Sequence, residues 1–168
     1  MHRYKLSLQR DYSLSFKLEL NSPFSAKAIE DIYRDQEVLI SAMPDANFPF
    51  DHDQWSSWFF DEEKSLRYSF ILNEGESAVA HCAVLKYKEA PGLAYICFVA
   101  VAKNQQGRGL SRVLLNQVHN YLWQNLKISE IYLLVDSKNV KANNLYNSMG
   151  YKYIDGSSRK RLKRRIVD

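Results

Sequence analysis

The chain has 168 residues, 46% hydrophobic, 13% aromatic and 25% charged, which suits one globular core and excludes a wholly disordered chain. No apolar run reaches the ~20 residues of a membrane helix, and Met1-His2-Arg3-Tyr4-Lys5 does not lead into a signal-peptide core. No membrane partner is therefore expected, and the expected location is cytoplasmic. The formal net charge of +4 is uneven: residues 151–168 hold seven of the 23 Lys/Arg and two of the 19 Asp/Glu, a balance of +5 that leaves −1 for residues 1–150.

Neither repeats nor a low-complexity linker interrupt the chain, so residues 1–168 are expected to form a single domain. Tyr12 to Leu20 alternates with period two and predicts a strand, ended by Asn21-Ser22-Pro23. Ser25 to Arg34 predicts a short helix. Pro44 and Pro49 predict a loop from Ser41 to Asp53, with an aromatic-rich helix from Asp53 to Glu63 beyond it. Leu66–Leu72 and Ala78–Tyr87 predict a hairpin around Asn73-Glu74-Gly75-Glu76. After Ala90-Pro91-Gly92, the near-continuous apolar run Leu93 to Val101 predicts a buried central strand. Leu110, Val113, Leu114, Val118, Tyr121 and Leu122 then fall at helical spacing. Ile131–Val135 predicts another strand. Asn139 suits a helix N-cap and Gly150 a left-handed stop after Met149. Tyr151–Ile154 and Arg159–Val167 predict a closing hairpin around Asp155-Gly156. The order is β-α-α-β-β-β-α-β-α-β-β, an α/β fold with one mixed sheet flanked by helices.

Chemistry concentrates where the central strand meets the long helix, at Gln106-Gly107-Arg108-Gly109-Leu110-Ser111. Glycines let a backbone turn tightly and approach a ligand. The first N–H groups of a helix lack intrahelical partners and sit at the positive end of its dipole. Together they favour a phosphate or pyrophosphate, with Arg108 and Arg112 adding charge. No Gly-Lys-Ser/Thr follows, which excludes a Walker loop, and the dinucleotide G-x-G-x-x-G spacing is absent.

The same hexapeptide resembles the Q/R-x-x-G-x-G/A acetyl-CoA motif of the GNAT superfamily of N-acetyltransferases, with Ser111 where Gly or Ala is usual. Downstream, Leu134 to Tyr151 is similar to the family's L-x-V-x-x-x-N-x-x-A-x-x-L-Y-x-x-x-G-F/Y block. The resemblance is strong from Leu93 to Tyr153 and topological before that. It implies acetyl-CoA as co-substrate, an amine-bearing acceptor (a small molecule or a protein), and no metal. It implies that the backbone of Gln106, Gly107, Arg108, Gly109, Leu110 and Ser111 cradles the pyrophosphate. Val99 and Val101 would offer backbone groups to the pantetheine arm, one N–H facing the acetyl carbonyl. Asn139, besides capping its helix, would bond the same arm. Tyr146 matches the tyrosine that protonates the leaving thiolate in many members, and a phenol with a pKa near ~10 is protonated at neutral pH.

A general base is not legible. Some members carry a glutamate where this chain has Tyr95, and a neutral phenol does not replace a carboxylate. His81, Glu89 or a water relay are the alternatives, with His81 expected to be structural. Cys82 and Cys97, inside apolar runs, are expected to be buried thiols. Asp51-His52-Asp53 suits a solvated helix start better than a metal site. The aromatics Phe48, Phe50, Trp55, Trp58, Phe59 and Phe60 are expected to form a second small core, with some free to border an acceptor groove. The basic stretch Arg159–Arg165 is expected to be an edge strand anchored by Leu162 and Ile166, its charges guarding the edge, so nucleic acid is not an expected partner. The expected activity is transfer of an acetyl group from acetyl-CoA to a primary amine by direct attack on the thioester. The alternative is a GNAT-fold module that binds CoA or a partner without catalysis.

Overall fold

The strands predicted from alternation and apolar runs join into one sheet. The computed structural model describes residues 15–60 and 62–166. The elements are strand β1 (Phe16–Leu20), helices α1 (Gln36–Ala42) and α2 (His52–Trp58), strands β2 (Ser65–Glu74), β3 (Ser77–Tyr87) and β4 (Leu93–Val101), helix α3 (Leu110–Leu126), strand β5 (Glu130–Asp136), helix α4 (Val140–Ser148), and strands β6 (Lys152–Asp155) and β7 (Arg159–Arg165). The sheet order is β1-β2-β3-β4-β5-β7-β6. Within it β4 and β5 run parallel, and the other neighbouring pairs run antiparallel.

Each face of the sheet has its own core. On one, Leu110, Leu114, Leu115, Val118 and Leu122 of α3, with Tyr146 and Met149, pack on Phe70, Cys82, Val84, Ile96 and Leu133. On the other, Val38 and Leu39 of α1 and Trp55 of α2, with Phe59, pack on Ile71, Ala83 and Ala100. Burying each Val, Leu, Ile, Phe or Met side chain there contributes about 1.5–3 kcal/mol. Cys82 lies in the first core, where burial raises its thiol pKa, and Cys97, at about 11, is also protonated at neutral pH.

The first helical segment differs from expectation. Ser25 to Tyr33 forms successive tight turns, with a 3-10 turn at Ala26–Ala28, and every backbone bond there spans three residues. Ala26, Ile29 and Ile32 are buried at that three-residue spacing, which mimics helical periodicity in sequence. The helix comes later, as α1, where Asp35 accepts from the Val38 N–H at 3.1 Å. Two turns with two buried residues are too short for a periodic signal.

The basic stretch also needs a correction. β7 is not at the edge but between β5 and β6, paired with β5 from Glu130↔Arg165 to Asp136↔Arg159. Leu162 and Ile166 are buried as expected, and that apolar anchoring seats β7 directly on β5. The hairpin then puts the short, exposed β6 outside. The beginning of the first predicted strand, Tyr12 to Leu14, and the last residue of the closing hairpin, Val167, lie outside the described residues.

Candidate active site

The site begins with a defect in β4. Ala83 opposes Cys97 and His81 opposes Ala100, so Phe98 and Val99 together face the single residue Cys82. This is a β-bulge, and Phe98 has a φ of 54°, left-handed for a non-glycine. β4 pairs with β5 only from Leu93↔Glu130 to Ile96↔Leu133. Past the bulge the two parallel strands part.

A cavity of about 460 Å³ occupies the opening. It is bordered by Val99 and Val101 of β4, by Gln106, Gly107, Gly109, Leu110 and Ser111 of the following turn, and by Asn139 and Tyr146 across the gap. Nine of the ten residues expected at the site thus come together. The exception is Arg108, whose guanidinium leaves the cavity to bond both carboxylate oxygens of Glu74, at 2.8 and 3.0 Å, and Gln105. That fork ties the turn to the β2–β3 hairpin and holds the Glu74 carboxyl below its usual pKa. Gln106 also braces the turn, donating from Nε2 to the Val101 carbonyl at 3.3 Å.

The turn suits an anion. Gly107 and Gly109 have φ of 83° and 73°, and a Cβ on either would meet open space, so the backbone conformation and not crowding calls for glycine. Asp35, Asp51 and Asn139 cap α1, α2 and α4 with side-chain oxygens. Gly109 at the start of α3 has none to offer. The N–H groups of Leu110, Ser111 and Arg112 therefore lack intrahelical acceptors where the helix borders the cavity. Lys103, Arg112 and Lys141 also line it, against Glu37, the one carboxylate among the described lining residues. Glu37 is bonded by Lys103 at 3.1 Å. Of these, Lys103, Glu37 and Lys141 escaped the sequence reading because α1 was not recognised and surface lysines carry no pattern, whereas Arg112 was expected to add charge there.

Tyr146 is 7% exposed, its ring packed against Tyr151. It borders the cavity, and no described residue bonds its hydroxyl. Burial raises its pKa, so the phenol is protonated at neutral pH. Asn139 accepts from the Ala142 N–H at 3.1 Å, which fulfils the cap while leaving the residue on the cavity wall.

The base candidates stand elsewhere. His81 is fully buried, with Tyr33 and Ser69 on its two ring nitrogens, and burial pushes its pKa down to about 3. Glu89 lies exposed in the β3–β4 turn. Tyr95 meets Tyr87 edge-on and lies tilted against Tyr132. Of the aromatic group, Trp55 and Phe59 are buried in the second core with Phe50 and Trp58 against them, whereas Phe48 and Phe60 are exposed. Among the described residues, no cluster of His, Cys, Asp or Glu could hold a metal, and no helix is long and apolar enough to cross a membrane.

Comparison with known proteins gives this geometry a family. No curated protein matches the chain significantly. Among solved structures, an acetyltransferase from Thermus thermophilus superposes with a TM-score of 0.70 at 20% identity, covering 90% of this chain and 97% of that one. A spermidine N-acetyltransferase from Vibrio cholerae, in complex with CoA and spermine, gives 0.70 at 17% identity over 90% and 95%. The GNAT domain of S. lividans PAT gives 0.75 at 17% identity over 90% of each chain. These likenesses establish the fold. The family model for the Acetyltransferase (GNAT) family matches residues 26–151, a span that contains the bulged strand, the glycine turn and Tyr146. The chain therefore belongs to the GNAT family of acetyltransferases.

Proposed function

We propose that this protein transfers an acetyl group from acetyl-CoA to a primary amine by direct attack on the thioester. The observation that carries the reading is the cavity itself: strands that part after a bulge, an uncapped helix start on a glycine turn, and a protonated phenol opposite. The residues present fit the co-substrate. The backbone of Gln106 to Ser111, with Lys103 and Arg112 nearby, is suited to the pyrophosphate. Arg108 contributes through its backbone, since its side chain is committed to Glu74. The edge of β4 at Val99 and Val101, unpaired with β5, is suited to the pantetheine arm, and Asn139 faces it from across the gap. A β4 N–H aimed at the acetyl oxygen polarises the carbonyl.

Tyr146 supplies the proton to the departing thiolate, and burial keeps that proton in place at neutral pH. The one carboxylate among the described lining residues, Glu37, is paired with Lys103, so the acceptor enters as the free amine and the groove contributes by proximity. The test is CoA release from acetyl-CoA across a panel of primary amines, spermidine, amino acids and peptide N-termini included. Wild type releases CoA with at least one amine, and Tyr146→Phe lowers kcat by ~10²–10⁴-fold with acetyl-CoA affinity little changed. A Phe variant at wild-type turnover removes the acid role. A folded wild type that binds acetyl-CoA but is silent across the panel favours the non-catalytic binding module.

A further inference from the structure

A chain of four buried polar side chains runs from the end of β1 to the bulge in β4. Asn21, Ser69, His81 and Tyr33 are 9%, 2%, 0% and 0% exposed. Polar groups are rarely sunk this deep unless each is bonded, and apolar residues would fill the second core more simply. The bonds here have one consistent direction. Tyr33 Oη donates to the Phe98 carbonyl at 3.0 Å, which uses its only proton. His81 Nδ1, 2.7 Å from the same oxygen, must then be the protonated nitrogen. His81 Nε2 accordingly accepts from Ser69 Oγ at 2.9 Å, and Ser69 Oγ accepts from Asn21 Nδ2 at 3.1 Å. Asn21 is held by the Ser25 N–H and by its own N–H to the Ser69 carbonyl. The far end of the chain is thus the carbonyl of the one β4 residue with a left-handed backbone.

We infer that Tyr33 is a positioning residue for the co-substrate: through Phe98 it holds β4 in its bulge, and the His81–Ser69–Asn21 chain holds Tyr33 in the donating orientation. Phe98 precedes Val99, the first β4 residue on the cavity wall. The Phe98 ring, set against Trp55 at 5.4 Å and Trp58 at 4.6 Å, steadies the same point from the side. If the Phe98 carbonyl loses its donor, the bulge can relax toward regular pairing. Val99 and Val101 then turn relative to the gap. Tyr33 itself does not border the cavity, so its effect on binding passes through the backbone.

The inference rests on the reading of the cavity as an acetyl-CoA site, and its test separates the two. Nitrogen-15 NMR of the His81 ring in the free protein should show a neutral, Nδ1-protonated imidazole at neutral pH. An Nε2-protonated ring would place the Tyr33 proton on His81 and overturn the chain. In Tyr33→Phe, amide exchange at Val99 to Val101 should accelerate at least tenfold, and acetyl-CoA should bind about tenfold more weakly. Ile32→Val, in the same core but outside the chain, is the control for destabilisation alone and should leave both unchanged. A Tyr33→Phe protein with a lowered Tm but wild-type exchange and affinity would reduce Tyr33 to packing. Should that variant not fold, Ser69→Ala, which removes the donor to His81 Nε2, is expected to move both quantities in the same direction. If wild type does not bind acetyl-CoA, the function reading falls, and the exchange and NMR results alone decide the anchoring of the bulge.

Discussion

At the scale of single residues, Asn139 separates structure from function most cleanly. Its Oδ1 caps α4, and its position puts it on the cavity wall. Asn139→Ala removes the cap and should cost about 1 kcal/mol of stability. Asn139→Ser keeps a capping oxygen but removes the amide. Thermal unfolding of Asn139→Ser should therefore match wild type, while its acetyl-CoA Kd, measured by calorimetry, should rise several-fold. Equal affinity in the two proteins would leave Asn139 as a cap alone. The cap was legible from local chemistry, and the family block pointed to the place on the cavity wall. Arg108 shows the opposite case. Its position in the motif suggests a phosphate contact, but the side-chain direction depends on Glu74, 34 residues away, and no local pattern reveals that fork.

At the scale of elements, β2 to β5 and the start of α3 were read to within two residues, whereas the helix predicted from Asp53 to Glu63 ends at Trp58. β4 and the start of α3 coincide with the predicted bounds because a long apolar run and a helical stripe leave little choice. Short segments were not. The turns at Ser25–Tyr33 bury apolar residues every third position and imitate a helix, while the two-turn α1 buries only Val38 and Leu39. The place of β7 in the sheet is a tertiary matter, settled by Leu162 against β5 and not by the charges of the strand. Arg161 and Lys163 lie over Tyr132 and pair with Asp155 and Glu130, on the surface of that anchor. Leu162→Ala should therefore destabilise the protein by about 2–5 kcal/mol in denaturant unfolding. Changing Arg159 and Arg165, the exposed ends of β7, to Gln should have a small effect by comparison. A Leu162→Ala protein as stable as wild type would contradict the anchoring of β7.

At the scale of the whole molecule, two buried histidines make folding sensitive to acid. His81 and His119 both have their pKa pushed down to about 3, first by burial and, for His119, also by Arg164. Arg164 Nη1 donates to His119 Nδ1 at 3.0 Å, which leaves Nε2 to donate to Tyr151. In the unfolded chain both imidazoles protonate near ~6.5. Between that pH and about 3 the unfolded state binds more protons than the folded state, so stability falls as pH falls. Within this window each histidine costs up to about 1.4 kcal/mol per pH unit. The fall of Tm from pH 6.5 toward pH 4 should be visibly shallower in His119→Gln, and an unchanged slope would show that His119 does not carry it.

The joint between sheet and helix carries the central claim, that the opening past the β4 bulge holds acetyl-CoA. Linkage at ~100 Kd of ligand adds about 2.7 kcal/mol, a rise in Tm of roughly 5–10 °C for a chain of this size. Ser111→Glu tests the site with little risk to the fold. A carboxylate in the first turn of α3 suits the helix dipole, yet it would fill and repel at the point proposed for the pyrophosphate. The most direct measurement is a calorimetric titration of acetyl-CoA into wild type and Ser111→Glu. The expected result is saturable one-site binding to wild type, and at least a hundredfold loss in Ser111→Glu with the Tm of the free protein unchanged or raised. No binding to folded wild type at millimolar acetyl-CoA, or equal binding to the two proteins, would contradict the account.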